Sequence, residues 1–163
     1  VASMGDYVFN DCIALKRMNS TTDGTITLPT SLTVIPSYAF NGCTEINKVV
    51  VGDITEIQSY AFSGCEGITQ FNSNNNEELI IPSGVTKIGE YAFYGCTGLT
   101  EITLPQSLKT IESEAFDGCS SLAQVDLPDT LTSIGNGQYD NLRIGVHLHK
   151  STTKCLTRLA RGK

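Results

Sequence analysis

Six cysteines and two histidines are the residues in this 163-residue sequence best suited to metal or nucleophile chemistry. Five of the thiols, Cys12, Cys43, Cys65, Cys96 and Cys119, each lie three residues after a phenylalanine, and none forms the Cys-x-x-Cys spacing of a zinc site. On stacked strands such thiols would stand about 4.8 Å apart. That suits the Cα spacing of a disulfide, but parallel side chains bring the Cβ atoms no closer. The expectation is five free, shielded thiols. His147 and His149 alternate along Val146-His147-Leu148-His149 and share one face of an extended segment, with no third imidazole or carboxylate beside them. An exposed strand face, and no metal, is expected there. With only these histidines, Ser-His-Asp and Cys-His catalysis have little material. Glu77-Glu78 and Glu112/Glu114 fall in turn-like stretches and read as solvated charge. The residues point away from an enzyme and toward no cofactor. Asn19-Ser20-Thr21 is an N-glycosylation triplet in a predicted loop.

The charge distribution narrows the partners. The formal net charge is −6, but from Arg143 onward there are six basic residues and no acidic one. Residues 1–142 therefore hold five basic and seventeen acidic residues, a balance of −12. Binding a phosphate backbone requires a basic footprint, so nucleic acid is not the expected partner. No run of about 18 apolar residues exists to span a membrane, and no signal-peptide pattern is read in the sequence. Val1 opens inside a repeat, which points to a processed form or a piece of a longer chain.

What positions these residues is an internal repeat. Ala39-Phe40-Asn41-Gly42-Cys43 recurs as Ala61-Phe62-Ser63-Gly64-Cys65, Ala92-Phe93-Tyr94-Gly95-Cys96 and Ala115-Phe116-Asp117-Gly118-Cys119. A looser copy, Val8-Phe9-Asn10-Asp11-Cys12, opens the series, and Gln138-Tyr139-Asp140-Asn141-Leu142 closes it. The markers Phe9, Phe40, Phe62, Phe93, Phe116 and Tyr139 differ by 31, 22, 31, 23 and 23 positions, so the unit is about 23 residues and there are about six coils. From Cys43, Cys96 and Cys119 the strand-ending residue (Val51, Leu104, Leu127) lies eight positions on. From Cys12 and Cys65 its equivalents, Leu28 and Ile81, lie sixteen on. Two eight-residue insertions are implied, around residues 19–24 and 72–77, polar and turn-rich, and expected as loops on one edge of the stack.

Within a coil, Leu99, Ile102, Leu104, Leu108, Ile111, Ala115, Phe116 and Cys119 mark the apolar positions. Ile102-Thr103-Leu104 alternates with period two and reads as one short strand per repeat, ended by Pro105 or its equivalents Pro29, Pro82 and Pro128. One coil cannot bury its own Leu, Ile and Phe; stacked coils can. The expected architecture is an α/β solenoid of short parallel strands over residues 1–145. A terminal segment, 146–163, is expected to add a strand and a basic capping helix at Ser151–Ala160, with Cys155, Leu156 and Leu159 as its apolar stripe.

The pattern Cys-x-x-Leu-x-x-Ile-x-Leu-Pro-x-x-Leu-x-x-Ile-x-x-x-Ala-Phe-x-Gly-Cys, as in Cys96 to Cys119, resembles the BspA-like class of leucine-rich repeats from about Tyr7 to Leu142. The resemblance implies a right-handed curved solenoid from surface or secreted proteins associated with adhesion, and it supplies no catalytic residues. It implies a non-enzymatic, monomeric module at the cell surface or secreted, binding a host, matrix or neighbouring-cell protein. The alternative is a spacer that positions another domain and binds nothing. If a binding surface exists, alternation along the strands puts it on two outward ladders. One is Thr25, Lys48, Glu78, Glu101 and Gln124; the other is Thr27, Val50, Ile80, Thr103 and Asp126. Val50 and Ile80 are expected on adjacent coils, as a small apolar spot with a polar rim.

Overall fold

A computed structural model describes residues 3–72, 78–123 and 125–136. The coils run through two parallel sheets, where the repeat pattern suggested one strand per repeat. They are β1 (Thr25–Thr27), β2 (Val34–Ile35), β3 (Lys48–Val50), β4 (Glu56–Ile57), β5 (Gln70–Phe71), β6 (Glu78–Ile80), β7 (Lys87–Ile88), β8 (Glu101–Thr103), β9 (Thr110–Ile111) and β10 (Ser133–Ile134). The first sheet runs β1-β3-β5-β6-β8 and the second β2-β4-β7-β9-β10, every pairing parallel. The second strand comes from the later Leu-x-x-Ile of each unit: Leu108 and Ile111 are both buried, and Ile111 stacks on Ile88 and Ile134. No helix occurs among the described residues; the segment expected to cap the stack, Ser151–Ala160, lies outside them, as do Tyr139, His147 and His149.

The core is a set of columns. Phe9, Phe40, Phe62, Phe93 and Phe116 stack with ring centroids 5.4–5.5 Å apart and planes within 17°. The backbone ties them coil to coil: the Phe40 amide donates to the Ala61 carbonyl at 2.9 Å, and the Phe62 amide to Ala92 at 2.8 Å. The glycine of each motif takes positive φ, from 68° at Gly95 to 73° at Gly118. A Cβ on Gly118 would approach Gly95 Cα to 3.2 Å, so glycine serves there for both its backbone freedom and its smallness.

Residues 19–24 form a turn, as expected of an inserted loop, and residues 73–77 of the second insertion lie outside the described ones; the residues just before each insertion join the first sheet. Phe71, six residues after Cys65 as Val49 is after Cys43, enters the first sheet and pairs with Val49 on one side and Leu79 on the other. Met18 likewise bridges Ile26. Each long repeat passes through the first sheet twice. The first pass is followed by an asparagine in the left-handed region, Asn19 (φ 50°) or Asn72 (φ 52°), a residue that tolerates it. The Asn72 side-chain oxygen accepts from the Val51 amide at 2.7 Å. The physical reason for the second pass is burial: Phe71 is fully enclosed, edge-on to Phe62 and Phe93 at 5.6 and 6.1 Å. Phe62 and Phe93 are one stacking step apart, while the first sheet advances two rungs over the same stretch. A long repeat is therefore a wedge, thick at the first sheet, which opens that face locally.

Candidate functional site

The first-sheet face carries the ladders expected from the sequence, with one rung more. Thr25 pairs with Lys48 and Thr27 with Val50; Glu78 pairs with Glu101 and Ile80 with Thr103. Their side chains are half-buried or exposed, and the residues between them (Ile26, Val49, Leu79, Ile102) are buried. Between these pairs lies the rung Gln70–Phe71, in register with Lys48 and Val49, followed by Asn72. Val50 and Ile80 are therefore not neighbours; the expected contiguous apolar spot is split because β5 runs between their strands. Gln124 lies outside the described residues. Asp126 is exposed, next to Val125, which bridges Ile102.

The electrostatics of this face are graded. Lys48 sits toward one end, and Glu78, Glu101 and Asp126 toward the other. Glu78 stands directly opposite Glu101, an arrangement that costs stability between like charges. The Thr103 hydroxyl donates to Glu78 Oε1 at 3.0 Å and holds that carboxylate on the face. A cleft of about 580 Å³ opens at the acidic end, with Glu101, Thr103, Gln106 and Asp126 in its wall.

The repeat cysteines make a second column, inward. Cys43, Cys65, Cys96 and Cys119 are buried and free. Each thiol donates to the carbonyl of a phenylalanine one coil back: Cys43 to Phe9, Cys65 to Phe40, Cys96 to Phe62 and Cys119 to Phe93, at 3.0–3.3 Å. Desolvation pushes Cys43 up to about 11 and Cys119 up to about 12, and raises Cys65 and Cys96 as well. Cys12 departs from the expectation of five shielded thiols. It is exposed, because no described coil covers the first one. Among these five, alkylation of the native protein at pH 8 is expected to label Cys12 at once and the other four only on unfolding. Equal rates for all five, or a Cys43–Cys65 cross-link by mass spectrometry, would contradict the buried column.

A third column went unread in the sequence, although its signal, Tyr two residues before four of the five repeat Phe, was present. Tyr7, Tyr38, Tyr60 and Tyr91 stack with centroids 4.4–4.8 Å apart and planes within 20°. Tyr94 packs edge-on against Tyr91 at 5.4 Å. All four stacked tyrosines, and Glu114 at the same position of the next coil, have φ between 54° and 60°. Each such backbone costs a non-glycine residue on the order of 1–2 kcal/mol. The Tyr91 hydroxyl is hydrogen-bonded to Glu114, which pushes it up to about 12. Tyr60 is raised by desolvation and by the nearness of Tyr38 and Glu90.

The other residues singled out earlier have structural partners. Glu112, read as solvated charge, pairs with Lys87 at 2.8 Å and accepts from the Glu90 amide at 3.2 Å. Lys87 is raised by Glu112 first and Glu56 second. Asn19 of the glycosylation triplet is exposed, but its amide nitrogen donates to the Thr27 carbonyl at 3.2 Å. Among the described residues no cluster of three His, Cys, Asp or Glu could hold a metal, and no helix is long and apolar enough to cross a membrane.

Comparison with known proteins accords with this geometry. The chain is 28% identical to a solved leucine-rich-repeat protein of T. pallidum, covering 83% of this chain and 63% of that one with a TM-score of 0.66. A leucine-rich cell surface protein of Faecalibacterium prausnitzii is 24% identical, over 90% of this chain and 44% of that one, with a TM-score of 0.58. A leucine-rich-repeat protein of Bacteroides ovatus is 22% identical, over 93% and 48%, with a TM-score of 0.59. The chain thus spans less than two thirds of each of these relatives. No curated protein sequence matches it. The model of the BspA-type leucine-rich-repeat region matches residues 1–76 and 69–152 in six copies, and the chain belongs to that family.

Proposed function

We propose that this chain is a non-enzymatic protein-binding module of a cell-surface or secreted protein, and that it binds through the face of the first sheet. The observation that carries this reading is the graded outward ladder. Lys48, Glu78, Glu101 and Asp126 leave one continuous surface with a charge pattern that packing does not require. Glu78 opposite Glu101 is unfavourable for folding alone, and a partner cation would relieve it. Such an extended sheet suits a macromolecule better than a small ligand. The relative described as a cell surface protein supports the location. The partner is a host, matrix or neighbouring-cell protein, with the chain acting as a monomer.

The test is capture of immobilised matrix and cell-surface proteins by the full chain and by a Val50→Asp, Ile80→Asp double variant. Both side chains are only half-buried, so the variant is expected to fold while binding falls at least about tenfold, the effect of placing unmatched charge in an interface. Full binding by a folded variant would remove the first sheet as the site. Capture of nothing by either protein would favour a spacer.

A further inference from the structure

Five of the six tyrosines in the chain lie on one surface, while the buried aromatic positions, Phe40, Phe62, Phe71, Phe93 and Phe116, are all phenylalanine. This segregation is not needed for a core, since phenylalanine fills it. Nor does the backbone favour tyrosine, because the position is left-handed at all five of its described copies and glycine would relieve the strain. A strained, repeated, outward-facing aromatic column is the kind of outlier from which a function is properly inferred. We propose that the tyrosine ladder is a second docking surface, separate from the first sheet, and that it takes an extended arginine-bearing segment of a protein partner.

Three features favour arginine. The ladder ends in carboxylates: Glu114 is bonded to Tyr91, and Glu90 acts electrostatically on both Tyr60 and Tyr91. The body of the chain, residues 1–142, has a balance of −12, so a cation is attracted from a distance. A guanidinium can donate to phenol and carboxylate oxygens together and can lie flat on an aromatic face, which an ammonium cannot. Exposed tyrosine surface is available at Tyr7, the end of the column, which is 57% exposed, and at Tyr94 beside Tyr91, which is 40% exposed. Within the column the rings are already ordered by mutual stacking, so binding loses little side-chain freedom.

The chain has no tryptophan, so its intrinsic emission comes from tyrosine and reports chiefly on this surface. The experiment titrates the full chain with octa-arginine, octa-lysine and octa-glutamate peptides at physiological salt. Octa-arginine is expected to give a saturable emission change, with affinity about tenfold above octa-lysine and none for octa-glutamate. The Glu90→Gln, Glu114→Gln double variant, which keeps side-chain size, is expected to weaken octa-arginine about tenfold. Tyr60→Leu is expected to weaken it comparably by interrupting the column; if that variant does not fold, the glutamine pair decides. Val50→Asp with Ile80→Asp is expected to leave it unchanged, which separates this surface from the first-sheet reading. Equal affinity for the arginine and lysine peptides, with no loss in the glutamine pair, would reduce the effect to attraction by an acidic body and overturn the proposal. So would the absence of any saturable change.

Discussion

Phe93→Ala is expected to cost about 3–5 kcal/mol, as truncation of a large buried aromatic does. The ring has no exposed surface and is held on three sides. Phe62 and Phe116 stack on its faces at 5.5 Å, and Phe71 meets it at 6.1 Å. Its neighbours are themselves fixed by coil-to-coil hydrogen bonds, so they cannot collapse into the space. The Phe93 amide donates to Ala115 at 2.8 Å, and the Phe62 amide to Ala92. For a chain of this size the loss should lower the melting temperature by about 10 °C. It is measured by urea unfolding of variant and wild type. A loss under about 1 kcal/mol would mean that this column is not the core.

Alkaline pH is expected to destabilise the fold through the thiol column, and the direction follows from the raised native values. An unfolded thiol ionises near its ordinary value of 9.0, whereas burial keeps Cys43 protonated to about 11 and Cys119 to about 12, with Cys65 and Cys96 also raised. Below pH 9 both states hold their protons and nothing is lost. Between pH 9 and 11 the unfolded chain releases protons that the native chain retains, and each thiol then removes about 1.4 kcal/mol of stability per pH unit. Four thiols together remove on the order of 5 kcal/mol per unit, a large part of the stability of a typical domain. Urea midpoints measured from pH 7 to 10.5 should be level to about 9 and then fall steeply. Cys65→Ala should flatten that fall by one thiol's share. A level profile to pH 10.5 would show that these thiols reach water.

The thiol at this position does more than fill space. Each sulfur is buried and gives a phenylalanine carbonyl of the previous coil a second donor, beside the backbone amide that the carbonyl already accepts. Alanine would remove that second donor and leave the carbonyl only the amide of the cysteine three residues on in its own coil. The same reasoning separates Cys12 from the other four, since its surroundings differ although its motif does not.

Period, core and strand face were determined by the sequence itself. Phe and Cys at fixed offsets, Ile at alternate positions and Pro after the strand repeat often enough that only one stacking buries them all, and burial is enforced by water at every coil. What repetition does not encode is the count of rungs. Phe71 follows Cys65 by the same six residues as Val49 follows Cys43, yet the polar stretch after it disguises the strand as part of a loop. Whether such a segment leaves the sheet or re-enters it depends on the apolar surface beside the stacked Phe62 and Phe93 rings, which exists only once the coils have stacked. That tertiary decision separated Val50 from Ile80 and so redrew the candidate face. The tyrosine column was decided in the same way. Tyr-Ala-Phe is visible three times in the chain, but a left-handed backbone and rings stacked 4.4–4.8 Å apart arise only from the spacing that parallel coils impose on identical corners.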